Sequence, residues 1–224
     1  MCNLYRMTRG TAEIAALFEV LPAEGANFAE DVYPGYSGLV VAEGRAQTMT
    51  WGFPLVLKGR QGQPLKPKPV TNARDDKLHT RFWKDSFVHR RCLVPVTCWA
   101  EPEGKAGQMT RTWYGIEGVD TFAVAGLWRE SPEWGRVYTL VMAPACKQMV
   151  DVHDRMPVLL PRRDWSRWIE APPEEAFHLC VTSPAPLTVE RTRRLWTGAG
   201  DLPATGEKGE ATAGGADETM PRLL

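Results

Sequence analysis

Short strand-like segments follow one another along this chain without long helices between them. Each is apolar or alternates apolar with polar residues, and each is bounded by glycine, proline or charge, which is typical of β-strands. A parallel doubly wound sheet needs a long crossover, mostly a helix, between successive strands. The succession therefore predicts an α+β fold with a curved, mostly antiparallel sheet or barrel-like core and peripheral helices. The segments are residues 35–43, 46–53, 92–98, 110–116, 122–128, 137–143, 158–160 and 187–190.

The helical signal is confined to a few short stretches. In residues 11–21 apolar side chains recur at the i, i+3, i+4 and i+7 spacing of one helical face. Thr11 is available as its N-cap, and Pro22 is expected to end it. The remaining helices are predicted through Phe82-Trp83 and over residues 162–169 and 174–180.

The length of 224 residues suits one good-sized core. We predict one domain over residues 1–197, followed by a disordered tail at 198–224, where Gly, Ala, Thr and acids dominate. No apolar run approaches the ~20 residues that cross a bilayer, and the start lacks the apolar segment of a secretory signal. These features predict a cytoplasmic protein without a membrane role.

The cysteines and histidines indicate neither disulfides nor a metal site. Five cysteines, an odd number, make no disulfide framework and fit a reducing compartment. There is no Cys-x-x-Cys, and the four histidines are not spaced as a ligand set. We therefore expect no metal and no cofactor. Four cysteines in apolar surroundings are predicted to be core residues, namely Cys92, Cys98, Cys146 and Cys180.

Charge is distributed unevenly although the formal net charge is zero. Residues 58–91 hold ten Lys or Arg against three acids, a local balance of +7. Such a window is expected where a protein binds phosphates, although a solvated loop with scattered charge explains it as well. Within it, residues 58–69 are rich in Lys, Gly, Gln and Pro and predict a flexible basic loop.

The first two residues offer unusual chemistry. If Met1 is removed, Cys2 becomes a terminal 1,2-aminothiol, with an amine that titrates near pH ~8 beside a thiol. The amine can attack an aldehyde to give an imine, and the thiol can close on the imine carbon to give a five-membered thiazolidine. The same pair could serve an N-terminal-nucleophile amidohydrolase. Taken alone, Cys2 is equally explained as an early buried cysteine.

Polar residues interrupt the apolar strands at three further places. Asn72 follows Thr71, Glu101 follows Trp99-Ala100, and His153 precedes Asp154. Each has a structural explanation alone, as a helix cap, a loop acid or a packed histidine. Together with Cys2 they supply a nucleophile, an amide, a carboxylic acid and an imidazole, which is an inventory for acid-base-assisted covalent chemistry.

In these motifs the chain resembles the SOS response-associated peptidase (SRAP) family, whose members capture abasic sites in single-stranded DNA. The resemblance extends from Met1 to about Trp196, with the motifs in the family's order. They are Met1-Cys2, Trp51-Gly52, Thr71-Asn72-Ala73-Arg74, Trp99-Ala100-Glu101 and Asp151-Val152-His153-Asp154-Arg155-Met156-Pro157.

The resemblance implies a role for each of four candidate catalytic residues. Cys2, exposed by removal of Met1, would form a thiazolidine with the ring-opened sugar aldehyde of an abasic site. Asn72 would hold the terminal amine or the sugar in register. Glu101 would act as general acid and base during ring opening and imine formation. His153 would assist these proton transfers and the reverse reaction.

The resemblance also implies a DNA-binding surface for single-stranded DNA that contains abasic sites. Arg74 and Arg155 would bind flanking phosphates bidentately. Trp51 would line a shelf for unstacked bases, which favours single strands over duplex. A monomer suffices for this arrangement, and the protein would join the nucleoid when bound to DNA. Further candidate DNA contacts are Arg6, Lys77 and Arg81.

The chain departs from the family at two places. Many members continue Met-Cys-Gly-Arg, whereas this chain has Asn3 and Leu4, so a phosphate contact of that arginine is missing or has moved to Arg6. An aromatic residue often follows the family's glutamate; here Pro102 follows, and Glu103 lies close enough to compete for the role of proton-transfer acid.

Three other functions stay open at this point. An N-terminal-nucleophile amidohydrolase also begins Met-Cys, but its usual glycine at the third position and its downstream Arg-Gly and Asn-Gly pattern are not found. A thiol peptidase that removes its own Met1 would fit the family's name. A non-catalytic single-strand binder would need only the basic region of residues 58–91.

Overall fold

The computed structural model describes residues 2–23, 26–198 and 200–202. Within these ranges the chain is mostly β-structure with short helices. The helices are α1 (Thr11–Phe18), α2 (Lys84–His89), α3 (Trp165–Glu170) and α4 (Pro173–Phe177), with 3₁₀ turns at Asp75–Lys77 and Arg162–Asp164. The strands are β1 (Tyr5–Arg6), β2 (Leu21–Pro22), β3 (Asp31–Val32), β4 (Ser37–Ala42), β5 (Arg45–Trp51), β6 (Phe53–Leu55), β7 (Lys68–Val70), β8 (Asn72–Arg74), β9 (Arg91–Val96), β10 (Cys98–Glu103), β11 (Thr110–Ile116), β12 (Phe122–Ser131), β13 (Gly135–Pro144), β14 (Arg155–Pro157), β15 (Leu159–Leu160) and β16 (Leu187–Leu195).

Five strands form a small closed barrel. Neighbours in the order β5, β4, β9, β12 and β13 pair antiparallel. A parallel contact of β13 with β5, which places Tyr138 opposite Trp51, closes the ring. Closure leaves no exposed edge on these strands, and a barrel this small is filled by its own side chains. The predicted α+β fold with a curved, mostly antiparallel, barrel-like core is thereby confirmed.

Helices cover part of the barrel's outer surface, so several of its strands are buried on both faces. In β9 every residue is buried, because α2 and α3 lie against it. The indole of Trp168 in α3 donates to the Cys92 carbonyl at 2.9 Å. The buried Arg91 guanidinium donates to backbone carbonyls at the end of α3, including those of Trp168 and Ala171. Continuous apolar runs in the sequence follow from this two-sided burial.

A second, five-stranded sheet has the antiparallel order β16, β11, β10, β1, β3. Tyr5 of β1 joins it to the barrel. Its ring meets Trp51 edge-on with centroids 5.0 Å apart, and its hydroxyl bonds to that of Tyr138. Cys2 therefore enters the fold at the seam between the sheet and the barrel.

Two short strands bring distant parts of the chain to one end of β13. β8 runs parallel to β13 and pairs Asn72 with Leu140. β14 runs antiparallel and pairs Arg155 with Pro144. Because both contact the second half of β13, the Asn72 segment and the residues before Arg155 converge near the seam.

The first helix differs from the prediction at both ends. Gly10, rather than Thr11, is the N-cap, and its N–H donates to the Glu13 carboxylate at 3.0 Å. The helix stops at Phe18, before Pro22, because Glu19 takes a left-handed conformation with φ 57°. The next residues then form β2 beside β5.

The basic stretch is more ordered in structure than the predicted loop. Lys68–Val70 forms β7, which pairs with β6. Gly52, at φ 117°, precedes this hairpin, and a Cβ there would collide with Pro69. The helix predicted through Phe82-Trp83 starts one residue later, at Lys84. Most of the predicted tail, residues 199 and 203–224, lies outside the described residues. Within the described part, the Leu202 N–H donates to the Arg193 carbonyl of β16 at 2.8 Å.

Candidate active site

Cys2 lies just before β1 and is fully buried. Its thiol donates to the Leu4 carbonyl, with Sγ and oxygen 3.6 Å apart. The Ala100 N–H donates to the same carbonyl at 2.9 Å, which extends the pairing of β1 with β10 and brings Cys2 alongside Glu101. Burial and then the charge of Glu101 raise the pKa of the Cys2 thiol well above its ordinary value. The thiol is therefore protonated at neutral pH and needs a base before sulfur can attack.

Glu101 is the acid beside Cys2. It is fully buried in β10, and burial raises its pKa to about 7. A carboxyl with this pKa both gives and accepts a proton near neutral pH. Partial burial would raise the pKa of Glu103, but hydrogen bonds from Thr112 and Arg191 hold it below its usual value. The geometry thus favours Glu101 over Glu103 for proton transfer.

Asn72 holds the start of the chain. Its Nδ2 donates to the Cys2 carbonyl at 2.8 Å and to Thr71 Oγ1 at 2.8 Å. Its Oδ1 is buried and accepts no hydrogen bond within the described residues. A buried acceptor without a partner is costly, which marks Oδ1 as an atom available to a donor in the site.

His153 lies just before β14, partly buried. Its Nδ1 accepts the Arg155 N–H at 2.9 Å, so the neutral ring carries its proton on Nε2. Burial lowers the pKa of His153, and the Asp154 carboxylate, 3.2 Å from Nδ1, offsets this only in part. The charge of Asp154 also raises the pKa of Glu101, which places the His153 loop near that carboxyl. His153 is therefore neutral at pH 7, with its proton on Nε2.

The predicted phosphate-binding arginines form a cluster with two acids. Arg74 binds Asp76 in a bidentate manner, with both N–O distances 2.9 Å. Arg155 donates to Asp75 at 2.6 Å and lies 3.7 Å from Asp76. Lys77 lies 3.7 Å from Asp76. The five charges leave a net balance of +1, and a phosphate that bound these arginines would have to displace Asp75 or Asp76.

The rest of the basic window is divided between internal and exposed positions. Arg91 is buried beneath α3, and Arg90 pairs with Asp85. In the part of the chain that the structure describes, no ion pair involves the exposed cations Lys58, Arg60, Lys66, Lys68, Arg81 and Lys84. The charge available for phosphates is thus smaller than the sequence balance of +7.

The described residues contain no group of three or more His, Cys, Asp or Glu side chains arranged to hold a metal ion. None of their helices has the length and apolar character needed to cross a membrane.

Most of the sequence matches one known family. Residues 1–193 match the SOS response associated peptidase (SRAP) family. The chain belongs to the SRAP family. The resemblance seen in the motifs is thereby confirmed.

Relatives and solved structures agree with this SRAP assignment. The abasic site processing protein YoqW of Bacillus subtilis (strain 168) is 24% identical over an alignment of 186 residues, and the match covers 75% of this chain and 80% of YoqW. A solved structure from Bordetella bronchiseptica has a TM-score of 0.72 at 22% identity, covering 85% of this chain and 99% of its own. One from Bacteroides thetaiotaomicron has a TM-score of 0.71 at 14% identity, covering 86% and 92%. The two structures show that other proteins share the fold of this chain.

One prediction for the SRAP surface is wrong. Trp51 is 0% exposed, so it cannot form a shelf for unstacked bases. Its ring lies between Tyr5 and Tyr138, and its indole N–H donates to the Thr71 carbonyl at 3.1 Å. Trp51 instead lies behind the SRAP site and stabilises it, because its indole N–H holds the backbone of Thr71 next to Asn72.

Arg6 does not simply replace the family's arginine at the fourth position. Its Nε donates to Asp31 at 2.7 Å, and its guanidinium lies 4.4 Å from the Trp113 ring centroid. A phosphate would have to displace Asp31. Leu4 packs with Trp113 and Ala100 in a separate apolar cluster.

Sequence reasoning missed the hydroxyl and the acids of this SRAP site. Thr71 donates to Asn3 at 3.0 Å and accepts from Asn72. Asp75 and Asp76 neutralise the arginines beside them. Their only sequence signal was adjacency to Asn72-Ala73-Arg74, which does not say where side chains point.

Proposed function

We propose that this protein processes abasic sites in single-stranded DNA by capturing the sugar aldehyde as a thiazolidine on Cys2 after removal of Met1. The observation that carries the proposal is the convergence on Cys2 of groups from distant motifs. Asn72 Nδ2 lies 2.8 Å from the Cys2 carbonyl, and Glu101 perturbs the pKa of the thiol. SRAP membership and the name of the relative YoqW support the same reaction class.

The first step uses the Cys2 amine. While Met1 is attached, that nitrogen is an amide without a nucleophilic lone pair. Once freed, the amine adds to the aldehyde carbon and gives a carbinolamine. Glu101 in its acid form protonates the departing hydroxyl, which leaves as water, and an iminium ion and the Glu101 carboxylate result.

The second step closes the ring. The Glu101 carboxylate takes the thiol proton as sulfur bonds to the iminium carbon. This gives the thiazolidine and restores the Glu101 acid, so one water is released overall and the carboxyl is unchanged. A pKa about 7 suits both halves of this cycle. Neutral His153, with its Nε2–H, would donate to the sugar oxygens during ring opening and reversal.

The direct test mixes mature protein with a single strand that carries one abasic site. We expect an adduct that survives denaturing electrophoresis. The matched control is the same strand with a tetrahydrofuran analogue, which has the shape of the sugar without the aldehyde. Equal binding of both strands with no surviving adduct would support a non-catalytic binder. Release of Met1 without DNA capture would support a peptidase.

Salt is expected to weaken the initial binding of DNA without affecting the covalent adduct. Phosphate contacts release counterions, so raising salt from 50 to about 200 mM should weaken the initial encounter severalfold. A preformed adduct should be unaffected, because a covalent bond is not screened. Anisotropy titrations and denaturing gels over a salt series measure the two quantities. A preformed adduct that dissociates when salt is raised would contradict a covalent link.

Asp76→Asn is expected to tighten the encounter with DNA. Asp76 neutralises Arg74 and touches Lys77 and Arg155, so removing its charge should raise affinity about three- to tenfold at low salt. The matched control is Asp120→Asn, since Asp120 is 88% exposed and contacts only Arg9 among the ion pairs of the described chain. Equal effects from both variants would exclude the Arg74 cluster as the phosphate site.

A further inference from the structure

Asn3 takes part in a chain of hydrogen bonds that ends at Cys2. Thr71 Oγ1 donates to Asn3 Oδ1 at 3.0 Å. Asn72 Nδ2 donates to the same Thr71 oxygen at 2.8 Å, and with its other proton to the Cys2 carbonyl at 2.8 Å. Asn3 is one of the positions at which the chain departs from the family's usual start.

The direction of the bond between Asn72 and Cys2 is fixed by chemistry. The Cys2 carbonyl can only accept, so the NH₂ end of Asn72 must face it. The Thr71 hydroxyl has one proton, which goes to Asn3, so Thr71 meets Asn72 as an acceptor. Both Asn72 protons are thereby used, and its buried Oδ1 is left to face a donor.

We propose that Asn3 and Thr71 are positioning residues that lock the Asn72 amide, so that its Oδ1 accepts a hydrogen bond from the Cys2 amine during capture. This inference rests on the proposed function. Without Asn3, the Thr71 hydroxyl would rotate freely, and its oxygen would hold the Asn72 NH₂ less firmly. The Asn72 Oδ1 would then be less well placed to accept from the amine and to direct the nitrogen lone pair to the aldehyde.

The test measures single-turnover capture over a range of DNA concentrations. Asn3→Ala and Thr71→Val should lower the maximal rate roughly three- to tenfold without changing the half-saturating DNA concentration. Thr71→Ser, which keeps the hydroxyl, should restore the rate. Asn27→Ala, at an exposed asparagine outside the chain of bonds, is the control. Unchanged rates in Asn3→Ala and Thr71→Val would overturn the proposal.

A double-variant comparison tests whether Asn3 acts through Asn72. In an Asn72→Ala background, Asn3→Ala should cause no further loss, because the residue it positions is gone. Independent losses that multiply would overturn the proposal, since they would mean that Asn3 acts on DNA or on the fold.

A readout without DNA separates this inference from the proposed function. Wild-type protein that forms no adduct would refute the capture reaction alone. Hydrogen exchange of the Asn72 side-chain NH₂, followed by NMR, should still be slow in wild type and at least severalfold faster in Asn3→Ala. Equal exchange in both proteins would overturn the positioning role.

Discussion

Cys2→Ser is expected to abolish the adduct that survives denaturation. The variant keeps the terminal amine and a hydroxyl able to donate to Leu4 as the thiol does, so the fold should persist. An imine can form, but a hydroxyl does not close a stable ring, and the imine hydrolyses. The measurement is a denaturing gel of wild type and variant with abasic single-stranded DNA, after mass spectrometry has verified that Met1 is absent from both.

Borohydride distinguishes the roles of the two Cys2 atoms. Reduction should trap the Cys2→Ser imine and restore an adduct. Protein that retains Met1 should yield no stable adduct without reductant, because its Cys2 nitrogen is an amide. A stable Cys2→Ser adduct without reduction would contradict the role of sulfur. A stable adduct in Met1-bearing protein without reduction would contradict the role of the Cys2 amine.

Glu101→Gln is expected to slow capture by about 10²- to 10⁴-fold, because an amide cannot exchange the proton that the reaction moves. Binding to the tetrahydrofuran strand should change little. In wild type the rate should rise as the amine loses its proton near pH ~8 and fall as Glu101 loses its own above pH about 7. The profile is then a bell with its maximum between these values, and the variant should lose the falling limb. Equal loss of capture and binding would contradict the role.

Thermal unfolding provides the control for Glu101→Gln. Burial raises the pKa of Glu101 to about 7 in the folded protein, against ~4.3 in the unfolded chain. The stabilisation of the fold that depends on protonated Glu101 is therefore fully present below pH ~4.3 and is lost as the pH rises through 7. Above pH 7 the buried carboxylate should cost about 4 kcal/mol, and glutamine should remove that cost. A variant that is slower yet more stable at pH 8 has lost chemistry rather than structure.

The barrel could be predicted from sequence because several of its strands, such as β4, β9 and β12, are buried on both faces and are nearly continuous apolar runs. The motif residues also pointed to one place: Asn72 contacts Cys2, although 70 residues separate them. The alternation of β10 and the pairing of β1 then put Glu101 beside the same cysteine. Local pattern and long-range pairing agree at these positions.

Trp51 and the basic window could not be predicted correctly, for physical reasons. A tryptophan at a strand end gives the same sequence pattern whether its side chain faces solvent or the barrel. Trp51 is buried because β5 closes on β13. Likewise, a count of charges does not show that Asp76 binds Arg74 or that Arg91 lies inside the fold. Side-chain direction decided both outcomes, and it depends on packing between elements far apart in sequence.

Peptide mapping of the purified adduct tests the central claim most directly. We predict that the first residue of the adduct is Cys2. Its nitrogen should no longer react with amine reagents, and its sulfur should no longer react with alkylating agents. The adduct mass should equal protein plus DNA less one water. A free thiol or a free amine on Cys2 in the adduct, or attachment at any other residue, would contradict it.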